Sequence, residues 1–251
     1  MPDSSTASEP WGSPLHSNAF NFSGFLTGGV DPRTGTYTCS LTLGELRSNF
    51  LQGPSLPIRL FFNPMQAHDG GFGKGWSLAL TRYDVPRGLL TLAGGERYQA
   101  KQTPSGLILD ELKLKTFRVL CPKPGRFDVV HKSGLIEELE VYAGSGLAVP
   151  KRIVSANGAA VLFDYQSMGD QPTLSAVRDA SRTLLSIERT PGQVTLTLYP
   201  GSECAAPFTL KRSGERVNAV QLPDGSAWTL SSEPIGGAEC LTEVISPLGA
   251  R

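Results

Sequence analysis

One short phrase recurs along the second half of the chain and limits what it can fold into. It runs from a β-branched residue through a polar turn, with Gly near the bend, into apolar or hydroxyl-bearing residues. Val129-Val130-His131-Lys132-Ser133-Gly134-Leu135 is one copy, and Ile153-Val154-Ser155-Ala156-Asn157-Gly158-Ala159 starts 24 residues later. Val177-Arg178-Asp179-Ala180-Ser181-Arg182 follows after another 24, with Arg182 where Gly is expected. Val220-Gln221-Leu222-Pro223-Asp224-Gly225-Ser226 comes after 43, and Val244-Ile245-Ser246-Pro247-Leu248-Gly249 restores the interval of 24. Each phrase reads as a strand, a tight turn and a returning strand. A period near two dozen residues predicts stacked hairpins, because each unit is one supersecondary element that cannot bury its apolar face alone.

The turns have a local physical cause. Gly lacks a Cβ and accepts positive φ, so Asn157-Gly158 and Asp224-Gly225 predict twisted two-residue turns. Ser133-Gly134 is a weaker case of the same rule, and Ser181-Arg182 breaks it. Composition agrees with a chain of strands and turns. The 251 residues include 28 Gly and 19 Pro, which punctuate strands rather than extend helices. No long stretch carries apolar residues at helical spacing, and the best candidate, Leu107 to Leu114, is short.

Several partner classes are excluded on charge and length. Lys plus Arg balance Asp plus Glu at 23 each, so there is no basic footprint for nucleic acid and no basic run for an anionic membrane. No apolar stretch approaches the roughly 20 residues of a membrane-spanning helix. Met1 to Pro10 lacks the basic start and apolar core of a secretory signal. The chain is therefore expected to be made in the cytoplasm, with any export by a specialised route. Cys39, Cys121, Cys204 and Cys240 have no C-x-x-C spacing and predict reduced, mostly buried thiols rather than zinc ligands.

The organisation reads as three parts. Residues 1–18 form a polar leader expected to be disordered. Residues 19–121 form an N-terminal β region, with strands at Thr36–Leu43, Leu56–Phe62, Leu78–Tyr83 and Leu89–Leu92. Residues 122–251 hold the degenerate hairpin repeats, beyond a Pro-rich turn near Leu120 to Gly125.

Catalytic constellations are poorly matched. Gly53-Pro54-Ser55 and Gly144-Ser145-Gly146 lack the frame of a nucleophile elbow. His16, His68 and His131 are not marked by their neighbours. His68-Asp69 is read as a solvated turn before an acid–base pair. Gly71-Phe72-Gly73-Lys74-Gly75 fits neither phosphate-loop template and is read as a turn that lets Trp76 enter the core. Asp110-Glu111 and Glu137-Glu138 read as solvated faces. Trp11, Trp76 and Trp228 offer aromatic faces for a sugar, and Trp228 is the one expected to be half exposed.

Three ordered stretches of the N-terminal region carry a family likeness. Val30-Asp31-Pro32-Arg33-Thr34-Gly35-Thr36-Tyr37, Gly53-Pro54-Ser55-Leu56-Pro57-Ile58 and Gly71-Phe72-Gly73-Lys74-Gly75-Trp76-Ser77-Leu78 resemble the start of bacterial Rhs (YD-repeat) proteins. His131-Lys132-Ser133-Gly134, Phe163-Asp164-Tyr165 and Leu174-Ser175-Ala176-Val177-Arg178-Asp179 continue it in the same order, so the likeness spans about Asn18 to Arg251. The resemblance implies a long β-repeat chain that spirals into a hollow shell around a C-terminal toxin. No self-cleaving core and no toxin segment is present in the sequence, so neither autoproteolysis nor toxicity is carried over to any residue.

The resulting expectation is an all-β chain of antiparallel hairpin repeats, stacked or spiralling as part of an Rhs-type shell. Its function is that of a non-enzymatic structural module without cofactor or metal. Its partners are the remainder of the shell, the toxin cargo and a delivery system. Gly35, Gly73, Gly75, Gly134, Gly158 and Gly225 set turns, and Trp76 anchors the N-terminal strands. A carbohydrate- or cell-surface-binding β module using Trp228 is the alternative reading, and a small hydrolase the remote one.

Overall fold

The computed structural model describes residues 25–31, 36–66, 70–110 and 116–250. The leader 1–18, with Trp11 and His16, lies outside them, as do Gly35, His68, Asp69, Glu111 and the end of the Leu107–Leu114 stretch. The described chain is all-β. Twenty strands pair antiparallel throughout, and no helix is long and apolar enough to cross a membrane among the described residues.

A four-stranded sheet comes first, from β1 (Leu26–Asp31), β2 (Thr36–Arg47), β3 (Ser55–Phe62) and β4 (Trp76–Leu78), in chain order. Strict alternation builds β3. Leu56, Ile58, Leu60 and Phe62 are buried while Ser55, Pro57, Arg59 and Phe61 face out, as a period of two requires for a half-buried strand.

Eight strands then close a barrel: β5 (Arg82–Asp84), β6 (Leu89–Thr91), β7 (Arg97–Thr103), β8 (Gly106–Leu109), β9 (Phe117–Lys123), β10 (Arg126–His131), β11 (Ile136–Val141) and β12 (Leu147–Val154). Closure comes from β12, which pairs with β11 on one edge and with β5 on the other. Eight strands leave an interior that side chains just fill. Tyr83, Leu90, Ala100, Leu107, Phe117, Val119, Phe127, Val129, Leu139 and Ala148 fill it.

From β12 the chain continues as a meander. Its strands are β13 (Ala160–Met168), β14 (Gln171–Arg178), β15 (Thr183–Thr190), β16 (Gln193–Leu198), β17 (Ala206–Ser213), β18 (Arg216–Gln221), β19 (Ala227–Ile235) and β20 (Ala238–Ile245). One face of this wall packs on the first sheet. Leu41, Leu60, Phe62 and Trp76 share a core with Val161, Val177, Leu196, Phe208 and Val220. Each such side chain gains about 1.5–3 kcal/mol on leaving water, so the two layers stabilise each other.

Strand β12 belongs to both bodies. Leu147 and Ala148 pair with Asp84 and Tyr83, whereas Arg152, Ile153 and Val154 pair with Leu162, Val161 and Ala160. Pro150, which has no N–H to donate, lies between these two stretches.

The structure differs from the sequence expectation in three ways. The strand expected over Leu78–Tyr83 is two strands in two sheets, β4 and β5, because the link through Ala79, Leu80 and Thr81 crosses from one core to the other. The division expected at residues 121 and 122 falls inside the barrel, where β9 and β10 form a hairpin around Pro124-Gly125 and share one core. The cores separate instead near Leu80 and within β12. The third difference concerns the turns.

Candidate functional site

The phrases starting at residues 129, 153, 177 and 220 are hairpins; the Gly-bearing turns hold three residues rather than two, whereas the Asp179–Arg182 turn, closed by Asp179 N–H donating to the Arg182 carbonyl, holds two. In His131–Leu135, the His131 N–H donates to the Leu135 carbonyl and Gly134 N–H to the His131 carbonyl. Ser155–Ala159, Leu222–Ser226 and Ser246–Ala250 repeat both bonds, and so does Leu92–Glu96. Only the third loop residue has positive φ: 84° at Gly134, 85° at Gly158 and 85° at Gly225. Asn157 and Asp224 do not, which rules out the two-residue turn that needs positive φ at both centres. Their side chains instead accept hydrogen bonds from Ala159 and Ser226 N–H groups, the local bonding that favours Asn and Asp in turns.

The Gly-less phrase has its own solution. Asp179 Oδ1 accepts from Ser181 N–H at 2.8 Å, Ser181 Oγ at 2.7 Å and Arg182 N–H at 2.9 Å. Its Oδ2 accepts from Asn49 N–H at 2.8 Å. Burial opposes ionisation of this carboxyl, but the backbone N–H of Asn49 and the Ser181 and Arg182 donors outweigh it and hold the pKa down at about 2. Asn49, Phe50 and Leu51 form a left-handed turn with φ of 49°, 53° and 72°. Such a turn is unfavourable for residues with a Cβ. Besides Asp179, it is tied down by Asn49 Nδ2 donating to the Ala160 carbonyl at 3.1 Å and Asn157 Nδ2 to the Gln52 carbonyl at 2.7 Å.

A second periodic feature lies in the ladders. One extra residue bulges from β12, β14, β18 and β20: Lys151, Ser175, Asn218 and Thr242. Each sits two places before the β-branched start of a phrase, so the bulges carry the same spacing. Ser175 Oγ donates to the Asp164 carbonyl and Thr242 Oγ1 to the Ser231 carbonyl, satisfying the partner strand where the ladder is disrupted. The sequence gap of 43 contains two hairpin units. The additional one has no bulge between β16 and β17, and its loop is longer, residues 199–205, with positive φ at both Tyr199 (50°) and Gly201 (74°).

The Gly71–Gly75 loop couples the first sheet to the wall. Lys74 N–H donates to the Glu215 carbonyl at 2.7 Å, and Asn63 N–H to the Gly75 carbonyl at 2.9 Å. Gly73 has φ 109° and Gly75 φ 82°. The loop delivers Trp76 to the core, where it is 1% exposed and tilts against Phe62 with ring centroids 5.2 Å apart. Strand β4 follows the loop, so there is no helix dipole for a phosphate.

Three expectations about side chains are corrected. Trp228, expected half exposed, is 8% exposed and stacks on Phe25 at 5.6 Å, so its ring is not a platform for sugar. Glu137, expected on a solvated face, is buried and its Oε1 lies 2.6 Å from His131 Nε2. Of the four thiols, all free, only Cys39 is buried, and burial pushes its pKa up to about 12. His131 was unmarked in the sequence because its partner sits six places away, across the β10–β11 hairpin.

A cleft of about 670 Å³ lies along the seam between barrel and wall. Its floor is the outer face of β5, β6 and β7, where Arg82, Thr91 and Arg97 lie in one cross-strand row. Asp84 and Leu89 form the next row, flanked by Leu147 of β12. Tyr165, Gln171 and Leu174 of the β13–β14 hairpin face them, and Gln66, Phe72 and Leu78 complete the lining. Asp84 is engaged by Arg87, through the Arg87 N–H at 3.0 Å and its guanidinium at 3.7 Å. Among the described residues the lining includes no histidine or cysteine, and no three His, Cys, Asp or Glu side chains converge as a metal site.

The Tyr165 hydroxyl is buried without a hydrogen-bond partner. Desolvation raises its pKa well above that of an ordinary phenol. In an alkaline absorbance titration one tyrosine should therefore resist ionisation until the protein unfolds, and Tyr165→Phe should remove that resistant fraction. A complete titration in the folded range would contradict this burial.

No protein-family model matches the chain, and no curated protein matches it.

Proposed function

We propose that this chain is a non-enzymatic structural module, the N-terminal part of an Rhs-type hairpin-repeat shell that encloses a C-terminal toxin in a longer parent protein. The supporting observation is the coincidence of turn and bulge at one spacing. Turn phrases start at residues 153, 177, 220 and 244, and ladder bulges precede each by two. A wall built by repetition needs both elements, one to reverse the chain and one to set the twist and curvature of each hairpin. The mechanism is containment: a wall of paired strands keeps proteases from the enclosed cargo.

The edge of β20 fits this reading. It is paired on one side only among the described residues. The following turn, Ser246–Ala250, has the same bonds as its counterparts and Gly249 at φ 81°. A strand returning from that turn would lie along the open edge and cover it, which is how repeat proteins manage an exposed strand.

The test is to read and express the chain with its natural downstream sequence. Further phrases at about two-dozen-residue spacing, a closed protease-resistant particle by electron microscopy and an unrelated C-terminal segment inside it are expected. A longer chain in which the β20 edge stays bare, or in which a different globular domain follows directly, would overturn the proposal.

A further inference from the structure

We infer that the seam cleft is a binding site for an organic anion, with a carboxylate or phosphate head held at Arg82 and Arg97 and an apolar body lying toward Leu78, Leu147 and Leu174. The inference does not depend on the shell proposal, since it uses only the seam between barrel and wall.

The charge balance is the first argument. Among the described residues, Arg82, Arg87 and Arg97 line the cleft against a single carboxylate, Asp84, which already binds Arg87. Neither Arg82 nor Arg97 makes a side-chain hydrogen bond or ion pair among the described residues. The strand register sets them in one row with only Thr91 between. Burial depresses the pKa of Arg82 and the neighbouring Arg97 charge adds to that effect, which the Asp84 carboxylate only partly offsets. Two guanidinium groups in one row, one half-buried and neither with a side-chain partner among the described residues, repel each other until an anion joins them. Their planar donors suit the oxygens of a carboxylate or phosphate.

The remaining lining argues for an organic body rather than a bare ion. Phe72, Leu78, Leu80, Leu147 and Leu174 supply apolar wall. The Tyr165 hydroxyl is a buried donor with no partner, in a residue that lines the cleft. A volume of about 670 Å³ falls in the range of small-molecule sites. An arginine lying on the surface for solubility alone would not need the second guanidinium in its row.

Calorimetric titration of the whole chain with phenyl phosphate, phenylacetate and benzyl alcohol tests the site. At least one of the two acids should bind saturably with Kd below about 1 mM, and benzyl alcohol, which lacks the charge, should not. The stronger acid identifies the head group. Arg82→Gln, and separately the exposed Arg97→Gln, should each weaken binding about tenfold. Arg82→Gln should also raise the thermal midpoint of the ligand-free protein, because it removes an unpaired, partly buried charge; a purely structural arginine would lower it. Failure of both acids to bind at about 10 mM, binding unchanged in both arginine variants, or equal binding of benzyl alcohol would each overturn the inference.

Discussion

Gly75→Val is expected to lower stability by about 3–5 kcal/mol, the largest effect of any single turn substitution considered. Two independent costs combine. The backbone at Gly75 has φ 82°, which a β-branched residue adopts only with strain. A Cβ there would also lie 2.8 Å from Phe62 Cε2 and 3.2 Å from the Asn63 carbonyl oxygen. Phe62 cannot yield, because it is 1% exposed and packed on Trp76. Gly225→Val is the control. Its φ is 85°, but nothing lies within 4 Å of the added Cβ, so only the conformational cost of about 1–2 kcal/mol remains. Urea unfolding of both variants measures the difference. Equal losses would mean that the loop before Trp76 is an ordinary turn and does not tie the first sheet to the wall.

Asp179→Ala should cost about 3 kcal/mol, although the residue sits in a surface turn. Its carboxylate is 6% exposed as a residue and serves four donors on two segments. Removing it leaves Asn49 N–H unpaired and frees the left-handed turn at residues 49–51. Asp179→Asn keeps the shape but turns an amide N–H toward one of these donors, so about half the loss is expected. The pH dependence separates the charge from the shape. The folded pKa of about 2 lies below the unfolded value of 3.8. The unfolded state thus binds the proton first as pH falls, and stability decreases with it. The contribution is full above pH 4 and disappears toward pH 2, with a magnitude of about 1–2 kcal/mol after allowing for solvent screening. The gap between wild type and Asp179→Asn should therefore narrow over that window. A gap constant from pH 6 to pH 2.5 would show that the charge of Asp179 does not contribute.

These two residues show how unevenly the sequence displays its structure. Gly134, Gly158 and Gly225 are legible because positive φ is a local demand and Gly answers it locally. The strand pattern of β3 is legible for the same reason: alternation within eight residues needs no knowledge of distant partners. Asp179 gives no such signal, because one of its donors, Asn49, is 130 residues away. Trp228 misleads for a related reason. Its strand and turn suggest an outer face, but Phe25, from the start of the described chain, stacks on it and joins it to the core.

The cleft was not legible at all. Arg82 and Arg97 look like ordinary strand-flanking charges, and their alignment follows from the β5–β6–β7 register. Tyr165 joins them only because β12 belongs to two bodies and brings the β13–β14 hairpin against the barrel.

What the amino-acid order settled alone is the kind of element: short strands, tight reversals and a unit of two dozen residues, all consequences of backbone sterics and near-neighbour hydrogen bonds. Barrel closure, the shared twelfth strand and the facing arginines were decided in three dimensions. They depend on which edges meet, and edge pairing is set by backbone groups that every residue except proline carries alike.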